Sequence, residues 1–246
     1  MRAVDAVRRR LAADPRKRAW WHRLRHPALL VARRSTEPLS HNWGFERGTP
    51  VDRYYIERFL QRHRGDIRGR VLEVKDDAYT RRYGTGVERA DVIDVDAGNP
   101  RATVIADLAA ADAVPAGAFD CFVLTQTLQL IHDVAAVARH AHRILAPGGV
   151  LLVTVPAVSR LAGDPDSYPD HWRFTGQSAR RLFEDAFGTG NVEVRTDGNA
   201  LAGAAFLLGM AAEELGARRL DAADPSHPVL VTVRAVKAAA DPGSAI

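Results

Sequence analysis

Short apolar runs alternate with amphipathic stretches along most of this chain. Seven of the runs are four to eight residues long and are bounded by polar or turn-forming residues, as β-strands are. The strands predicted from them cover residues 71–74, 91–96, 103–106, 119–125, 150–155, 191–195 and 229–236. The fifth run, VLLVTV, is apolar at nearly every position, which is typical of a strand buried on both faces of a parallel sheet.

Apolar residues three and four positions apart predict amphipathic helices between these strands. We expect helices from about residue 50 to Gly65, from Asp133 to Leu145, from Thr175 to Phe187, and across the Ala- and Leu-rich residues 199–215. Asp133 and Thr175 are the predicted N-caps, because their side-chain oxygens can accept a hydrogen bond from a backbone N–H of the first turn. Strands that alternate with helices in this way predict an α/β fold, a single doubly wound, mostly parallel sheet of seven strands.

Basic residues are concentrated at the N-terminus. The 246-residue chain has a net charge of +4, but residues 1–34 hold 11 Lys and Arg against two Asp, so the rest of the chain is acidic. We therefore predict a basic N-terminal helical arm over residues 1–40 and one domain over residues 41–240. The acidic domain argues against nucleic-acid binding by the whole chain. The arm is either solvated or docks on an acidic partner or an anionic surface.

Composition narrows the class of protein further. With 46% hydrophobic and 26% charged residues, the chain has the composition of a globular protein. Its single cysteine, Cys121, excludes an intrachain disulfide and a cysteine-based metal cluster. No run of about 18 apolar residues is present, so no membrane span is predicted. Arginines interrupt the apolar residues near the N-terminus, so we expect no signal peptide and a cytoplasmic location, with homo-oligomerisation left open.

Acidic residues follow the first three predicted strands. Ligands of open α/β sheets bind at the carboxyl ends of the strands, so these positions are candidates for a binding site. A carboxylate at the end of the second strand can accept hydrogen bonds from both hydroxyls of a ribose, and one after the third strand can accept from the amino group of adenine. The sequence therefore predicts a nucleoside pocket. Its candidate acids are Glu73, Asp76, Asp77, Asp94, Asp96 and Asp107.

A dinucleotide is the alternative cofactor. Residues 84–90, GTGVERA, contain a G-x-G-x-x-x-A string, but a dinucleotide loop must directly follow the first strand and open a helix. Gly84 lies ten residues beyond Val74, so we predict that residues 84–90 form a turn leading into the second strand.

The order of the strand-end motifs resembles that of a known enzyme family. Over roughly residues 50–236 the chain resembles the class I S-adenosylmethionine-dependent methyltransferases, in the segments VLEVKDDAYT, DVIDVD, VIADL, FDCFVLTQTLQLI and HRILAPGGVLLVTVP. PDHWRFT, residues 169–175, is similar to a stretch of one branch of that family. The resemblance implies a Rossmann-like methyltransferase fold, S-adenosylmethionine as cofactor and a small-molecule acceptor. It favours O-methylation of a sugar, a glycan or a secondary metabolite.

The resemblance also implies roles for individual residues. Glu73 is the acid that ends the first strand, and Asp96, or alternatively Asp94, holds the ribose of the cofactor. Asp107 and Leu108 flank the adenine. Thr125 and Gln126 line the cofactor near its methionine end.

The loop after Glu73 departs from the family pattern. The family usually has a G-x-G-x-G sequence there, which lets the backbone approach the cofactor closely, whereas this chain has Lys75 to Tyr79, KDDAY. Two interpretations stay open. The loop takes another path, with Asp76 or Asp77 meeting the ammonium group of the cofactor, or the chain is a methyltransferase-like partner protein without turnover.

Methyl transfer to a hydroxyl group also needs a base. His171 is the first candidate, because it lies in the long polar loop 157–175 after the fifth strand, and Asp170 in the same loop is a further catalytic candidate. His132, after the fourth strand, is the second candidate. No carboxylate cluster is assignable to a metal ion, so none is predicted. The chain lacks a [DN]-P-P-[YF] motif, so methylation of nucleic acid ranks last.

Overall fold

The computed structural model of the chain describes residues 36–161 and 169–239. Residues 1–35, most of the predicted basic arm, lie outside this part, as do residues 162–168 of the polar loop. The predicted docking of the arm and the domain limits 1–40 and 41–240 therefore stay predictions.

A seven-stranded sheet forms the centre of the fold, as predicted. The strands pair in the order β3-β2-β1-β4-β5-β7-β6. The neighbours from β3 to β5 run parallel, and β7 runs antiparallel to β5. The strand order reverses between β1 and β4, which is where open α/β sheets bind their ligands. The strands are β1 (Gly69–Val74), β2 (Val87–Asp94), β3 (Val104–Ile105), β4 (Phe119–Thr125), β5 (Leu145–Pro156), β6 (Val192–Asp197) and β7 (Leu230–Val236).

Helices connect most of these strands, and two of them begin at the predicted N-caps. The Asp133 side chain accepts a hydrogen bond from the Ala136 N–H at 2.8 Å. The Thr175 hydroxyl accepts one from the Ser178 N–H at 3.0 Å. Each cap satisfies a backbone donor that has no partner within the helix. The helices are α1 (Val51–Arg62), α2 (Ala78–Tyr83), α3 (Val134–Ile144), α4 (Gly176–Phe187), α5 (Ala200–Leu207), α6 (Ala212–Leu215) and α7 (Ala217–Leu220).

The described chain divides into two compact units. The larger comprises residues 56–157, 161, 169–196 and 230–239 and contains nearly the whole sheet. All five residues from Leu151 to Val155 of β5 are fully buried. The strand is therefore covered on both faces, as expected for a central strand of a doubly wound sheet. Every predicted site residue that the structure describes belongs to this unit.

The smaller unit comprises residues 36–55, 158–160 and 197–229. It corrects the prediction of one helix over residues 199–215, since the chain there forms α5 and α6 with a break between them. Gly209 lies in the break with φ of 71°. A Cβ on Gly209 would lie 2.6 Å from the carbonyl oxygen of Ser40, so only glycine fits this close approach.

Three other predicted elements also had wrong bounds. β2 begins at Val87 and ends at Asp94, whereas the prediction was 91–96, so residues 87–90 of the predicted turn 84–90 belong to the strand. β5 begins at Leu145 because this residue already pairs with Phe119 of β4. α1 ends at Arg62, before a short 3-10 turn, and not at Gly65. The other predicted strand ends agree within two residues.

Among the helices of residues 36–161 and 169–239, none has both the length and the apolar character needed to span a bilayer.

Candidate functional site

Glu73, at the carboxyl end of β1, is a buried carboxylate that anchors the start of α2. Its side chain is only 3% exposed. One oxygen accepts a hydrogen bond from the Tyr79 N–H at 3.1 Å. The other accepts from both the N–H and the hydroxyl of Thr80, each at 2.7 Å. Glu73 therefore positions the loop of residues 75–77, which lies between β1 and α2.

Burial also changes the ionisation of this group. Desolvation raises the pKa of Glu73 to about 7, because the hydrogen bonds from Thr80 and Tyr79 favour the charged form less than burial disfavours it. The negative charge of Asp76 acts in the same direction as burial.

Lys75 takes the backbone conformation that glycine usually supplies. Its φ is 72°, in the left-handed region that favours glycine. The Lys75 N–H donates to the carbonyl oxygen of Ile93 on β2 at 3.0 Å, and its own carbonyl accepts from the Asn99 amide at 2.8 Å. The loop after β1 therefore follows a glycine-type path without a glycine.

Asp76 and Asp77 both make local contacts in this loop. The Asp76 carboxylate accepts a hydrogen bond from the Ala78 N–H at 2.9 Å. Asp77 forms an ion pair with Arg81 at 2.8 Å, one helical turn further on. Both carboxylates therefore help to start α2.

Asp94 is the last residue of β2, and its carboxylate organises the chain that follows. It accepts hydrogen bonds from the Asp96 N–H at 3.0 Å and from the Asn99 side-chain amide at 2.7 Å. Desolvation opposes these bonds, but they hold the pKa of Asp94 below its usual range. Asp96 is exposed and accepts from the Gly98 N–H at 2.8 Å. Asp94, and not Asp96, therefore ends the strand beside the loop after β1.

Asn99 is a residue of this site that sequence reasoning missed. Its side-chain amide donates both to Asp94 and to the carbonyl oxygen of Lys75, so it joins the ends of β1 and β2. The only sequence signal was an Asn-Pro pair five residues after an acid that ends a strand, which is a common turn sequence.

Asp107 and Leu108 follow β3, as predicted. Asp107 is exposed, and its carboxylate accepts from the Ala109 N–H at 2.8 Å, which caps the 3-10 helix Leu108–Ala113. Leu108 is buried in the core.

Gln126, directly after β4, is the second non-glycine residue of the site with a positive φ, at 48°. Its N–H donates to the carbonyl oxygen of Thr154 on β5 at 2.9 Å. Its carbonyl accepts from the Gln129 side-chain amide, also at 2.9 Å. Non-glycine residues in this conformation cluster at functional sites, and here two of them lie at the ends of neighbouring strands.

The segment before α4 is bound to the segment after β4. The carbonyl oxygen of Gln129 accepts hydrogen bonds from the backbone N–H groups of His171 at 2.8 Å and Trp172 at 3.2 Å. The Trp172 indole donates to the carbonyl oxygens of Ile131 and His132 at 3.0 and 3.2 Å. These contacts bring the rings of His132 and His171 edge to face, with their centroids 5.3 Å apart.

Asp170 has a different partner. Its carboxylate accepts hydrogen bonds from both terminal nitrogens of the Arg173 guanidinium, at 2.5 and 3.0 Å. A bidentate ion pair of this kind orients a carboxylate, so it favours an anchoring role for Asp170.

Comparison with known proteins decides the family. Residues 42–188 match the family described as a methyltransferase domain. The chain belongs to this methyltransferase domain family. No curated protein matches the sequence.

Solved structures with the same fold as this methyltransferase domain have low sequence identity to it. A SAM-dependent methyltransferase from Archaeoglobus fulgidus has 12% identity and a TM-score of 0.50, over 75% of this chain and 94% of that one. A phosphoethanolamine N-methyltransferase from Haemonchus contortus has 13% identity and a TM-score of 0.51, over 75% of this chain and 53% of that one. The [4+2]-cyclase SpnF has 18% identity and a TM-score of 0.50, over 90% and 95% of the two chains.

In the methyltransferase domain, the predicted site residues fall into two groups. The nucleoside group lies at the ends of β1 and β2 and after β3, and it comprises Glu73, Asp76, Asp77, Asp94, Asp96, Asp107 and Leu108. The acceptor group lies after β4 and before α4, and it comprises His132, Asp170 and His171. Thr125 and Gln126, predicted to line the cofactor near its methionine end, lie at and directly after the end of β4, between the two groups. Within the part of the chain that the structure describes, no three His, Cys, Asp or Glu side chains converge in a way that could hold a metal ion.

Replacing Lys75 with glycine in this methyltransferase domain will stabilise it. Glycine adopts a φ of 72° without steric cost, so relief of the strain is worth about 1 kcal/mol. We expect the free energy of unfolding, measured in urea, to rise by that amount. Lys75→Ala is the matched control, because it removes the same side chain and keeps the strain. Equal stabilities of the glycine and alanine variants would contradict the prediction.

Proposed function

We propose that this chain is an S-adenosylmethionine-dependent methyltransferase that acts on a hydroxyl group of a small molecule, such as a sugar, a glycan or a secondary metabolite. The observation that carries the proposal is the position of Asp94. This ionised carboxylate ends β2 beside the switch point of the sheet, where a ribose with two hydroxyl donors binds in folds of this kind. Asp107 supplies a second exposed carboxylate after β3, suited to the amino group of adenine.

The residues present fit this cofactor. The family glycines are missing after Glu73, but the φ of Lys75 gives the loop the backbone path that a glycine would give it. Asp94 and Asn99 then hold that loop against the end of β2. This geometry favours an intact cofactor site over the alternative of a methyltransferase-like partner protein without turnover.

The mechanism divides between the two groups of residues. When bound, the cofactor supplies a methyl group on a sulfonium. Asp94 would accept hydrogen bonds from the ribose hydroxyls, Asp107 and Leu108 would hold the adenine, and the backbone of Thr125 and Gln126 would line the methionine end of the cofactor.

His171 is the proposed base, and it takes the proton of the acceptor hydroxyl at a ring nitrogen. The assignment is supported by the exposure of His171 and by the hydrogen bond that fixes its backbone to the Gln129 carbonyl, just after β4. His132 orients the His171 ring from the side. The Trp172 ring packs beside this pair, with its centroid 6.1 Å from that of His132.

Titration calorimetry with S-adenosylmethionine and S-adenosylhomocysteine tests the cofactor assignment. We expect micromolar binding of both to the full chain. Methyl transfer is then measured from labelled S-adenosylmethionine into small neutral metabolites. No binding at millimolar ligand would reject the enzyme and favour the partner protein.

Replacing His171 with glutamine tests the base. Glutamine keeps a polar side chain of similar size but cannot take up a proton at this position, so turnover will fall by about 100-fold. Binding of S-adenosylhomocysteine will stay within about twofold of wild type, because His171 lies in the acceptor group. His140→Gln, on α3, is the control for loss of a histidine. Unchanged turnover in His171→Gln would remove this residue from the mechanism.

A further inference from the structure

The side-chain amides of Gln126 and Gln129 lock each other in one orientation. Gln129 Nε2 donates to the carbonyl oxygen of Gln126 at 2.9 Å and lies 3.4 Å from Gln126 Oε1. Reversing the Gln129 amide would place its oxygen against that carbonyl oxygen. Reversing the Gln126 amide would bring two N–H donors together. The hydrogen-bond pattern therefore settles which atom of each amide is nitrogen and which is oxygen.

The other end of each amide is buried and unsatisfied. Gln126 Nε2, a donor, and Gln129 Oε1, an acceptor, have no hydrogen-bond partner within residues 36–161 and 169–239. Gln129 as a whole is only 9% exposed. A buried polar atom without a partner is costly, and proteins keep such atoms where a ligand or a catalytic role needs them.

A third unsatisfied atom belongs to a neighbouring residue. In the described ranges, six buried side-chain nitrogen or oxygen atoms have no hydrogen-bond partner, and Gln126, Gln129 and Thr154 carry three of them. The carbonyl oxygen of Thr154 accepts the Gln126 N–H. Half of the unsatisfied atoms thus belong to residues at or just after the carboxyl ends of β4 and β5, where open α/β sheets bind their ligands.

The strained backbone of Gln126 serves the same place. Two hydrogen bonds hold its φ at 48°. The Gln126 N–H donates to the carbonyl oxygen of Thr154, and the Gln126 carbonyl accepts from the Gln129 side-chain amide. The carbonyl oxygen of Gln129 also accepts hydrogen bonds from the backbone N–H groups of His171 and Trp172. The two amides are therefore part of the segment that holds the proposed base, on the acceptor side of the site.

We propose that Gln126 Nε2 and Gln129 Oε1 form the subsite that selects a neutral, hydroxyl-bearing ring as the methyl acceptor. This inference rests on the proposed function and names the chemistry of its substrate. A hydroxyl group accepts a hydrogen bond from Gln126 Nε2 and donates one to Gln129 Oε1. A carboxylate or phosphate would meet the oxygen of Gln129, and an ammonium would meet the N–H group of Gln126. Both charged classes are therefore rejected at this subsite.

Side-chain amide signals in ¹⁵N NMR spectra report directly on these two groups. The Gln126 and Gln129 signals are assigned by their loss in Gln126→Met and Gln129→Met. The full chain, saturated with S-adenosylhomocysteine, is titrated with methyl β-D-glucopyranoside, methyl β-D-glucuronate and methyl β-D-glucosaminide. The neutral glycoside is expected to shift both pairs of amide signals in a saturable way and to bind at least tenfold more tightly than the anionic and cationic glycosides. Equal or tighter binding of a charged glycoside, or no shift with any of the three, overturns the proposal.

Cofactor affinity separates this subsite from the cofactor site. Gln129→Met is expected to bind S-adenosylhomocysteine within twofold of wild type and to bind the neutral glycoside at least tenfold more weakly. Gln177→Met, an exposed position on α4, is the matched control and should change neither value. A tenfold loss of S-adenosylhomocysteine affinity in Gln129→Met would assign the amides to the cofactor and overturn the inference. Failure of wild type to bind S-adenosylhomocysteine would instead reject the proposed function, and the glycoside titration of the free protein would still test the subsite.

A second variant does not depend on removing the polar group. Gln129→Glu keeps the shape and an acceptor oxygen but adds a negative charge, so it should reverse the preference and bind the cationic glucosaminide at least fivefold more tightly than the neutral glycoside. The same preference as wild type in a folded Gln129→Glu protein, with an unchanged melting temperature, would show that Gln129 does not face the acceptor.

Discussion

Replacing Asp94 with asparagine will weaken the binding of S-adenosylhomocysteine about 30-fold, a loss of about 2 kcal/mol. Hydrogen bonds to an ionised carboxylate are stronger than those to a neutral amide, and both ribose hydroxyls donate to this group in the proposed complex. The low pKa of Asp94 keeps it ionised at neutral pH, so wild-type affinity should not depend on its protonation there. Titration calorimetry at pH 7 measures the change.

Two controls separate the ribose contact from the local structure. Asp94 also accepts the Asn99 amide, so Asp94→Asn disturbs the turn after β2. Asn99→Ser removes that amide and leaves the carboxylate intact, and it should cost less than fivefold in affinity. Asp96→Asn tests the exposed alternative and should have almost no effect. Equal losses in Asp94→Asn and Asn99→Ser would contradict the ribose contact, as would a larger loss in Asp96→Asn.

Local chemistry explains which elements could be predicted. The N-caps of α3 and α4 depend only on Asp133 and Thr175 and on N–H groups three residues away, so the sequence pattern contains them. The bounds of β4 were predicted correctly for a similar reason, since an apolar run ends there at polar residues. The apolar runs of the other strands were also enough to predict a mostly parallel sheet of seven strands.

Contacts between distant residues explain what could not be predicted. Asp94 and Asp96 look alike in the run DVIDVD, and the strand ends at Asp94 because Asn99 binds its carboxylate and turns the chain. The break between α5 and α6 depends on the approach of Gly209 to Ser40, more than 160 residues earlier in the chain. Two histidines 39 positions apart, His132 and His171, meet because the Gln129 carbonyl binds the segment that contains the second. Alternation and propensity carry no information on such pairs.

The same limit applies to Glu73. Its place at the end of a strand was predicted, but its burial and its three hydrogen bonds from Tyr79 and Thr80 depend on how α2 folds back over it. The consequence is a carboxylate with a pKa of about 7 in the folded protein, against an ordinary value of 4.5. Stability and pH are therefore linked through this one group.

Wild-type stability will fall by about 2–3 kcal/mol between pH 5 and pH 8, relative to Glu73→Gln. Because burial raises the pKa of Glu73, the folded protein binds more protons than the unfolded chain between about pH 4.5 and 7. Unfolding releases these protons, so stability is lost as the pH rises through that window and is constant above it. Glutamine does not titrate, so the Glu73→Gln variant lacks this pH-dependent part of the stability. Urea unfolding at several pH values gives both curves.

Glu88→Gln, at an exposed position on β2, controls for the loss of one negative charge. Parallel curves for wild type and Glu73→Gln would show that Glu73 keeps an ordinary pKa. They would contradict the conclusion that burial desolvates this carboxylate. Diverging curves would instead show that Glu73 loses a proton near neutral pH. The start of α2, and with it the loop of residues 75–77 beside the proposed cofactor site, would then depend on the protonation of Glu73. The affinity for S-adenosylhomocysteine should then change across the same window, since the hydrogen bonds from Tyr79 and Thr80 are stronger to the ionised carboxylate.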